Sequence, residues 1–157
     1  MDINPELDLV ISRLIEVPRE KIWAAWNDPE ILAQWWCPKP WRTEVLGFDF
    51  RSGGTFNVTM HGPNGEQSPN PGLFLDVVPM SRIVFTSTLT EGWRPVPSPF
   101  IPITAVFSLS DEQGGTRYSA TVLHPDADTK KQHEEMGFFE GWGVCFDQLE
   151  AIAKSLT

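Results

Sequence analysis

The chain has 157 residues, with 21 acidic side chains against 12 of Lys and Arg, which gives a net charge of −9. Nucleic acids and anionic membrane surfaces are bound by clustered Lys and Arg, so this charge argues against both as partners. At this length we expect a single domain, residues 1–157, that buries roughly 70% of the surface its unfolded chain exposes.

The N-terminus and the two cysteines favour a reduced, cytoplasmic setting. The opening residues MDINPELD are acidic, whereas a signal peptide begins basic and continues apolar, and no run of 18 apolar residues occurs in the chain. Cys37 and Cys145 lie far apart and belong to no CxxC or Cys/His ligand spacing. We therefore predict a cytoplasmic protein with two free thiols, no metal site and no cofactor.

Residues 7–17 alternate in polarity, as a strand with one buried face requires, because Leu, Ile and Val occupy one register and polar residues the other. Arg13 falls in the apolar register. Two placements stay open for its guanidinium. It reaches outward at the edge of the sheet, which we favour because buried arginine is rare unless paired, or it points into an internal cavity.

Residues 17–41 contain five of the seven tryptophans. Pro18 and Pro29 open two short helices here, and Pro38 ends the second. Tryptophan buries a very large area, so these side chains must fix how the helices sit on the rest of the domain. We expect Trp23 and Trp26 to lie in the core. We expect Trp35, Trp36 and Trp41 to lie at the mouth of any cavity.

The middle of the chain is a succession of strand-like runs separated by turn residues, which predicts an antiparallel meander. The runs are 41–50, 55–61, 73–78, 83–89, 103–109 and 116–124. One connection, 90–102, is too long for a hairpin turn and carries four prolines and Trp93. Long ordered loops of this kind are often lids, so we predict that Trp93 gates the site.

From 129 to 155 the apolar residues recur at steps of three or four, which predicts one long amphipathic helix. Strands followed by a terminal helix indicate an α+β fold. We expect a helix-grip architecture in which a curved antiparallel sheet of about seven strands wraps on the long helix, with two short helices after the first strand.

A sheet that curls around a helix leaves a space between them, and two interpretations of that space stay open. Aromatic and aliphatic side chains line a cavity for an apolar or aromatic small molecule, or they fill the core completely. The residues predicted to bind such a ligand are Phe56, Val58, Met60, Leu75, Phe85, Trp93, Tyr118, Phe138, Trp142 and Phe146.

Several short motifs, each weak alone, occur in an order and spacing that resemble a known family. They are Arg13, Pro18, Trp23, Trp26, Asp28-Pro29, Trp35-Trp36, Pro38, Asp49, Arg51, Gly53-Gly54, Asn64-Gly65, Gly72, Pro79, Gly115-Thr116, Gly141-Trp142 and Leu149. The chain resembles the branch of the START-like, or SRPBCC, superfamily named after the activator of the heat-shock-protein-90 ATPase. Its fold is shared with the birch pollen allergen. One departure is Cys37, where the family commonly has Gly, and we interpret that thiol as packing rather than as a nucleophile.

The resemblance implies three kinds of function. Many members bind hydrophobic small molecules, others such as polyketide cyclases are enzymes, and a few act as co-chaperones. We favour a binding protein whose partner is a hydrophobic small molecule. Chaperone binding is not expected, because a dedicated co-chaperone would bring a further domain and the resemblance takes up the whole chain.

An enzyme would need general acid–base groups facing the cavity, and the residues that could supply them are Arg13, His61, Tyr118, His124 and His133. We expect the three histidines to be exposed, because two lie at strand ends and His133 lies among charged residues. We therefore assign no catalytic residue. Homodimer formation through the loop around Trp93 stays open.

Overall fold

Strands and helices alternate in blocks along residues 2–156, the part of the chain that the computed structural model describes. The strands are β1 (Asp8–Ile15), β2 (Arg42–Phe48), β3 (Phe56–His61), β4 (Gln67–Asn70), β5 (Leu73–Val78), β6 (Arg82–Thr86), β7 (Leu89–Thr90), β8 (Arg94–Pro95), β9 (Thr104–Glu112) and β10 (Gly115–Leu123). The helices are α1 (Arg19–Asn27), α2 (Pro29–Leu32), α3 (Ala127–Glu135) and α4 (Phe138–Ser155). Residues 1 and 157 of the predicted domain lie outside the described part.

The strands form a five-stranded antiparallel sheet in the order β1-β10-β9-β6-β5, a three-stranded sheet β2-β3-β4 and the short pair β7-β8. Backbone hydrogen bonds join the two larger sheets, from Phe56 N–H to Gly72 O at 3.0 Å and from Phe74 N–H to Gly54 O at 2.9 Å. Gly54 is required at this joint, because an added Cβ would lie 2.0 Å from the carbonyl oxygen of Asp49. The predicted α+β helix-grip fold is confirmed.

The strand count differs from the predicted seven in one sheet. All seven predicted strands are present, and β4, β7 and β8 are additional. β4 has the polar sequence QSPN and lies at the edge of its sheet, where a proline such as Pro69 is tolerated. Its composition is that of a loop, which is why a pattern of alternating apolar residues did not identify it.

The tryptophan-rich segment connects α1 and α2 to the five-stranded sheet. Trp26 is completely buried, and its ring packs edge-on against Trp35, Trp36 and Phe107 at centroid distances of 5.2, 5.3 and 4.9 Å. Its indole Nε1–H donates to the hydroxyl of Tyr118 on β10 at 3.0 Å. The predicted core positions of Trp23 and Trp26 are therefore confirmed.

The prediction of a single helix over 129–155 is wrong, because the chain turns at Gly137 and forms two helices, α3 and α4. Gly137 has φ 92°, a left-handed conformation that interrupts a right-handed helix and that glycine adopts without a steric penalty. Within residues 2–156 neither of these helices, nor α1 or α2, is long and apolar enough to span a membrane.

α4 lies across the five-stranded sheet. Trp142 stacks on Phe107 of β9 with centroids 5.9 Å apart, and Phe146 contacts Tyr118 of β10 at 4.7 Å. Arg13 of β1 passes beside Gly143 and its guanidinium pairs with Asp147 on α4, with about two-fifths of the arginine side chain exposed. The outward placement of Arg13 is confirmed.

Candidate functional site: an apolar cavity beneath the last helix

A cavity of about 300 Å³ lies between α4 and the two larger sheets. Its walls come from both sheets, from the segment after α2, from α3 and α4, and from the end of the loop before β9. The lining residues are Trp35, Trp36, Pro38, Phe56, Val58, Met60, Ser68, Asn70, Pro71, Gly72, Phe85, Ser87, Phe100, Ile101, Ile103, Phe107, His133, Met136, Gly137, Phe138, Gly141, Trp142, Cys145 and Phe146. The space between sheet and helix is therefore not completely filled.

Seven of the ten residues predicted to bind a ligand line this cavity: Phe56, Val58, Met60, Phe85, Phe138, Trp142 and Phe146. The sequence placed them correctly because strands β3 and β6 alternate regularly and α4 keeps its helical period. That these residues bind a ligand stays a prediction.

Leu75, Trp93 and Tyr118 do not line the cavity. A bulge between Phe74 and Asp76 shifts the register of β5, so Phe74 turns inward and Leu75 is 40% exposed. Tyr118 faces inward but lies beneath the cavity wall, fully buried and bonded to Trp26, and burial raises the pKa of its hydroxyl.

Trp93 is 74% exposed at the end of a 3₁₀ turn, Glu91–Trp93, so the prediction that it gates the site finds no support in its position. The loop contributes instead through its last residues, since Phe100 and Ile101 lie in the cavity wall. Phe100 is also largely exposed, which places it at the rim of the opening.

Two of the three tryptophans predicted for the cavity mouth lie in the cavity wall. Trp35 and Trp36 line the cavity and Trp41 does not.

The cavity wall also contains Phe107 on β9, which was not predicted from the sequence. A signal was present, because Ile103, Ala105, Phe107 and Leu109 occupy one alternating register and all are buried.

The expectation that His124 and His133 are exposed is wrong. They are 6% and 9% exposed and bonded to each other, with His124 Nε2 2.9 Å from His133 Nδ1. His124 Nδ1 lies 2.7 Å from the carbonyl oxygen of Leu7. His133 lines the cavity. Burial, followed by the electrostatic interaction with His124, lowers the pKa of His133 from 6.5 to about 4, so its imidazole is neutral at neutral pH.

The other residues considered for acid–base chemistry lie elsewhere. His61 bonds to Glu44 Oε1 at 2.9 Å and Arg13 pairs with Asp147, both outside the lining. Of the five groups, His133 is the one that the described lining contains. The structure thus brings one titratable nitrogen to the cavity.

Both thiols are held protonated by their surroundings. Burial raises the pKa of Cys37, whose sulfur accepts a hydrogen bond from Thr43 Oγ1 at 3.0 Å. Cys145 lines the cavity, and burial raises its pKa to about 12. A protonated thiol is a poor nucleophile, so Cys37 fits the packing role assigned to it.

A curved antiparallel sheet, a gripping C-terminal helix and a cavity between them define a START-like, helix-grip domain. A sequence model described as "Activator of Hsp90 ATPase homolog 1-like protein" matches residues 16–154. The chain belongs to this family.

Several solved structures are similar to this chain. A crystal structure of a protein from Nitrosomonas europaea is 42% identical, with a TM-score of 0.89 and 97% of each chain covered. A protein from Mycobacterium smegmatis is 25% identical with a TM-score of 0.80, and the match covers 100% of this chain and 98% of that one. A protein from Arthrobacter aurescens, 23% identical with a TM-score of 0.83 over 99% and 91% of the two chains, is similar in fold. Among curated proteins no relative matches.

Proposed function

We propose that this domain binds a neutral aromatic or apolar small molecule in the cavity beneath α4. The observation that carries the proposal is the cavity itself, about 300 Å³ of space walled largely by aromatic rings. This volume lies at the lower end of the range of small-molecule sites, and a cavity half as large accepts benzene. A ligand of one or two rings matches the available space.

The charge of the lining favours a neutral ligand. Apart from His133, which is neutral at neutral pH, the described lining residues include no Lys, Arg, Asp or Glu. An ion that entered would lose its hydration without gaining an opposite charge, which costs several kcal/mol. An uncharged ring would exchange water for the faces and edges of Trp36, Phe85 and Trp142.

Gly141 offers a direct test of occupancy. It lies in the cavity wall, and the nearest atom to a Cβ added there, outside its own helix, is Pro38 Cγ at 4.0 Å. A leucine at this position would extend into the space that a ligand needs. Alanine and leucine have similar helix propensities, and alanine adds only one carbon to the cavity wall. Gly141→Ala is therefore the matched control for Gly141→Leu.

We expect naphthalene to bind the wild type and Gly141→Ala, and to bind Gly141→Leu at least tenfold more weakly. Isothermal titration calorimetry gives the affinities. At a ligand concentration of 100 times Kd, binding adds about 2.7 kcal/mol of stability and roughly 5–10 °C of melting temperature. Equal affinity in all three proteins would place naphthalene outside this cavity, and no binding across a panel of neutral one- and two-ring compounds and lipids would refute the proposal.

A further inference from the structure

This inference rests on the proposed function and concerns the chemistry of the ligand. We propose that the ligand is a hydroxylated aromatic compound whose O–H donates a hydrogen bond to Nε2 of His133. The cavity would then recognise a phenol-like molecule in one orientation, with its hydroxyl toward α3 and its rings against the aromatic wall.

The hydrogen bonds of the histidine pair fix the direction of donation. A carbonyl oxygen can only accept, so His124 Nδ1 must carry the hydrogen in its 2.7 Å bond to Leu7 O. The His124 tautomer with its hydrogen on Nδ1 presents Nε2 as an acceptor. His133 Nδ1 must therefore donate in the 2.9 Å bond between the rings, which leaves a lone pair on His133 Nε2.

The surroundings of His133 keep that lone pair free. Its ring packs against the aromatic rings of Phe138 and Trp142 at 5.0 and 6.2 Å, and burial with the neighbouring His124 disfavours its protonation. No hydrogen bond joins Nε2 to a described residue, and this atom is not fully buried, so a ligand can reach it. A hydrogen bond from a ligand O–H to this nitrogen would be stronger in the apolar cavity than in water.

Two other polar groups of the lining already have hydrogen-bond partners in the protein. The hydroxyl of Ser87 donates to Ile101 O at 2.6 Å and accepts from Ile103 N–H at 2.9 Å. The amide nitrogen of Asn70 donates to Ser68 O at 2.9 Å. Ser68 and Asn70 are only half-buried, whereas His133 is buried against the aromatic wall, so its lone pair asks for a donor where the ligand's rings would lie.

The nature of the acceptor also decides between donors. A carboxylate has no hydrogen to give at neutral pH and would face the lone pair of Nε2 with its own negative charge. An ammonium would lose its hydration in an apolar cavity for a single hydrogen bond. A neutral hydroxyl satisfies both the lone pair and the apolar wall.

Three probes of the same ring size test this: naphthalene, 2-naphthol and 2-naphthoate. In the wild type we expect 2-naphthol to bind about tenfold tighter than naphthalene, since one hydrogen bond to a buried acceptor is worth about that factor, and 2-naphthoate to bind more weakly than either. His133→Phe keeps a ring of similar size without nitrogen, and in it the preference for 2-naphthol over naphthalene should fall to about one. His61→Phe makes the same substitution outside the cavity lining, so it should keep the preference.

The outcomes separate the two proposals. Naphthalene affinity retained in His133→Phe shows that the variant is folded and the cavity intact. Equal binding of naphthalene and 2-naphthol by the wild type, or a preference that survives in His133→Phe, overturns the role of His133 while the proposed function stands. Failure of all three probes to bind the wild type removes this inference together with binding of two-ring aromatic compounds.

The tautomer supplies a readout that needs no ligand. In long-range ¹H–¹⁵N NMR spectra at pH 7, His133 should show a protonated Nδ1 and an unprotonated Nε2. His124→Phe removes the acceptor that holds His133 in this form, so in that variant His133 should shift toward the Nε2–H tautomer. A protonated Nε2 on His133 in the wild type would contradict the inference.

Discussion

His133 contributes to stability in a way that depends on pH. Its pKa is lowered from 6.5 to about 4 in the folded protein, so between these values the unfolded chain binds a proton that the folded chain does not. Protonation therefore favours the unfolded state as the pH falls below 6.5. The stability that the neutral imidazole contributes is completely lost below about pH 4. The groups around the ring are His124, with Asp126 beside it, and the aromatic residues Phe138 and Trp142.

We expect His133→Phe to remove this dependence. The free energy of unfolding of the wild type should fall relative to that of the variant by at most about 1.4 kcal/mol for each pH unit between 6.5 and 4. Urea titrations of both proteins at pH 7, 6, 5 and 4.5 measure the difference, in which the carboxylates common to both largely cancel. Two parallel curves would show that His133 titrates normally in the folded protein.

The burial and hydrogen-bond partners of the two histidines could not be predicted from the sequence. The fate of His124 depends on Leu7, which lies 117 positions away along the chain, and on a helix that brings His133 back to the end of β10. Nothing in the local composition records such contacts. Residues within one regular element, such as Phe56 and Val58 on β3, could be assigned because their orientation follows from alternation alone.

At the scale of elements, two glycines four residues apart should respond to alanine with opposite signs. Gly137 joins α3 to α4 with φ 92°, and alanine there adopts a left-handed conformation that costs about 1–2 kcal/mol. Gly141 has helical geometry inside α4, where alanine gains about 1 kcal/mol and meets only Pro38 Cγ at 4.0 Å outside its helix. Urea unfolding followed by circular dichroism gives both values. A stabilising Gly137→Ala would mean that α3 and α4 join into one helix without cost.

The elements themselves were largely predictable, and the misses have physical causes. Period-two and helical patterns identified seven strands, the two short helices and the α4 stripe, because burial of one face dictates the spacing. The break at Gly137 was missed because a glycine inside a helix costs only about 1 kcal/mol. The apolar pattern around it is therefore compatible both with a continuous helix and with a helix that stops. The bulge at Leu75 was missed because a one-residue register shift leaves the composition unchanged.

At the scale of the whole molecule, the two larger sheets and the short helices share one aromatic core, and Trp26 stands at its centre. Its ring contacts Phe56 of the three-stranded sheet at 6.5 Å and Phe107 of the five-stranded sheet at 4.9 Å. Trp36 makes the same connection, with Phe56 at 5.0 Å and Phe85 at 5.6 Å, and also lines the cavity. The cavity wall is therefore continuous with the core that holds the sheets together.

The two tryptophans Trp26 and Trp93 test that arrangement as a matched pair. Trp26→Leu leaves a void between the sheets and deprives the Tyr118 hydroxyl of its donor, so we expect a loss of about 3 kcal/mol or more in the free energy of unfolding. Trp93→Leu changes a side chain that is 74% exposed and should stay within about 0.5 kcal/mol of the wild type. Because Trp36 also contacts both sheets, the Trp26 variant should still unfold in one transition with an unchanged denaturant slope. Circular dichroism and tryptophan fluorescence during urea unfolding measure both quantities, and two separated transitions in Trp26→Leu would show that the sheets are stabilised independently.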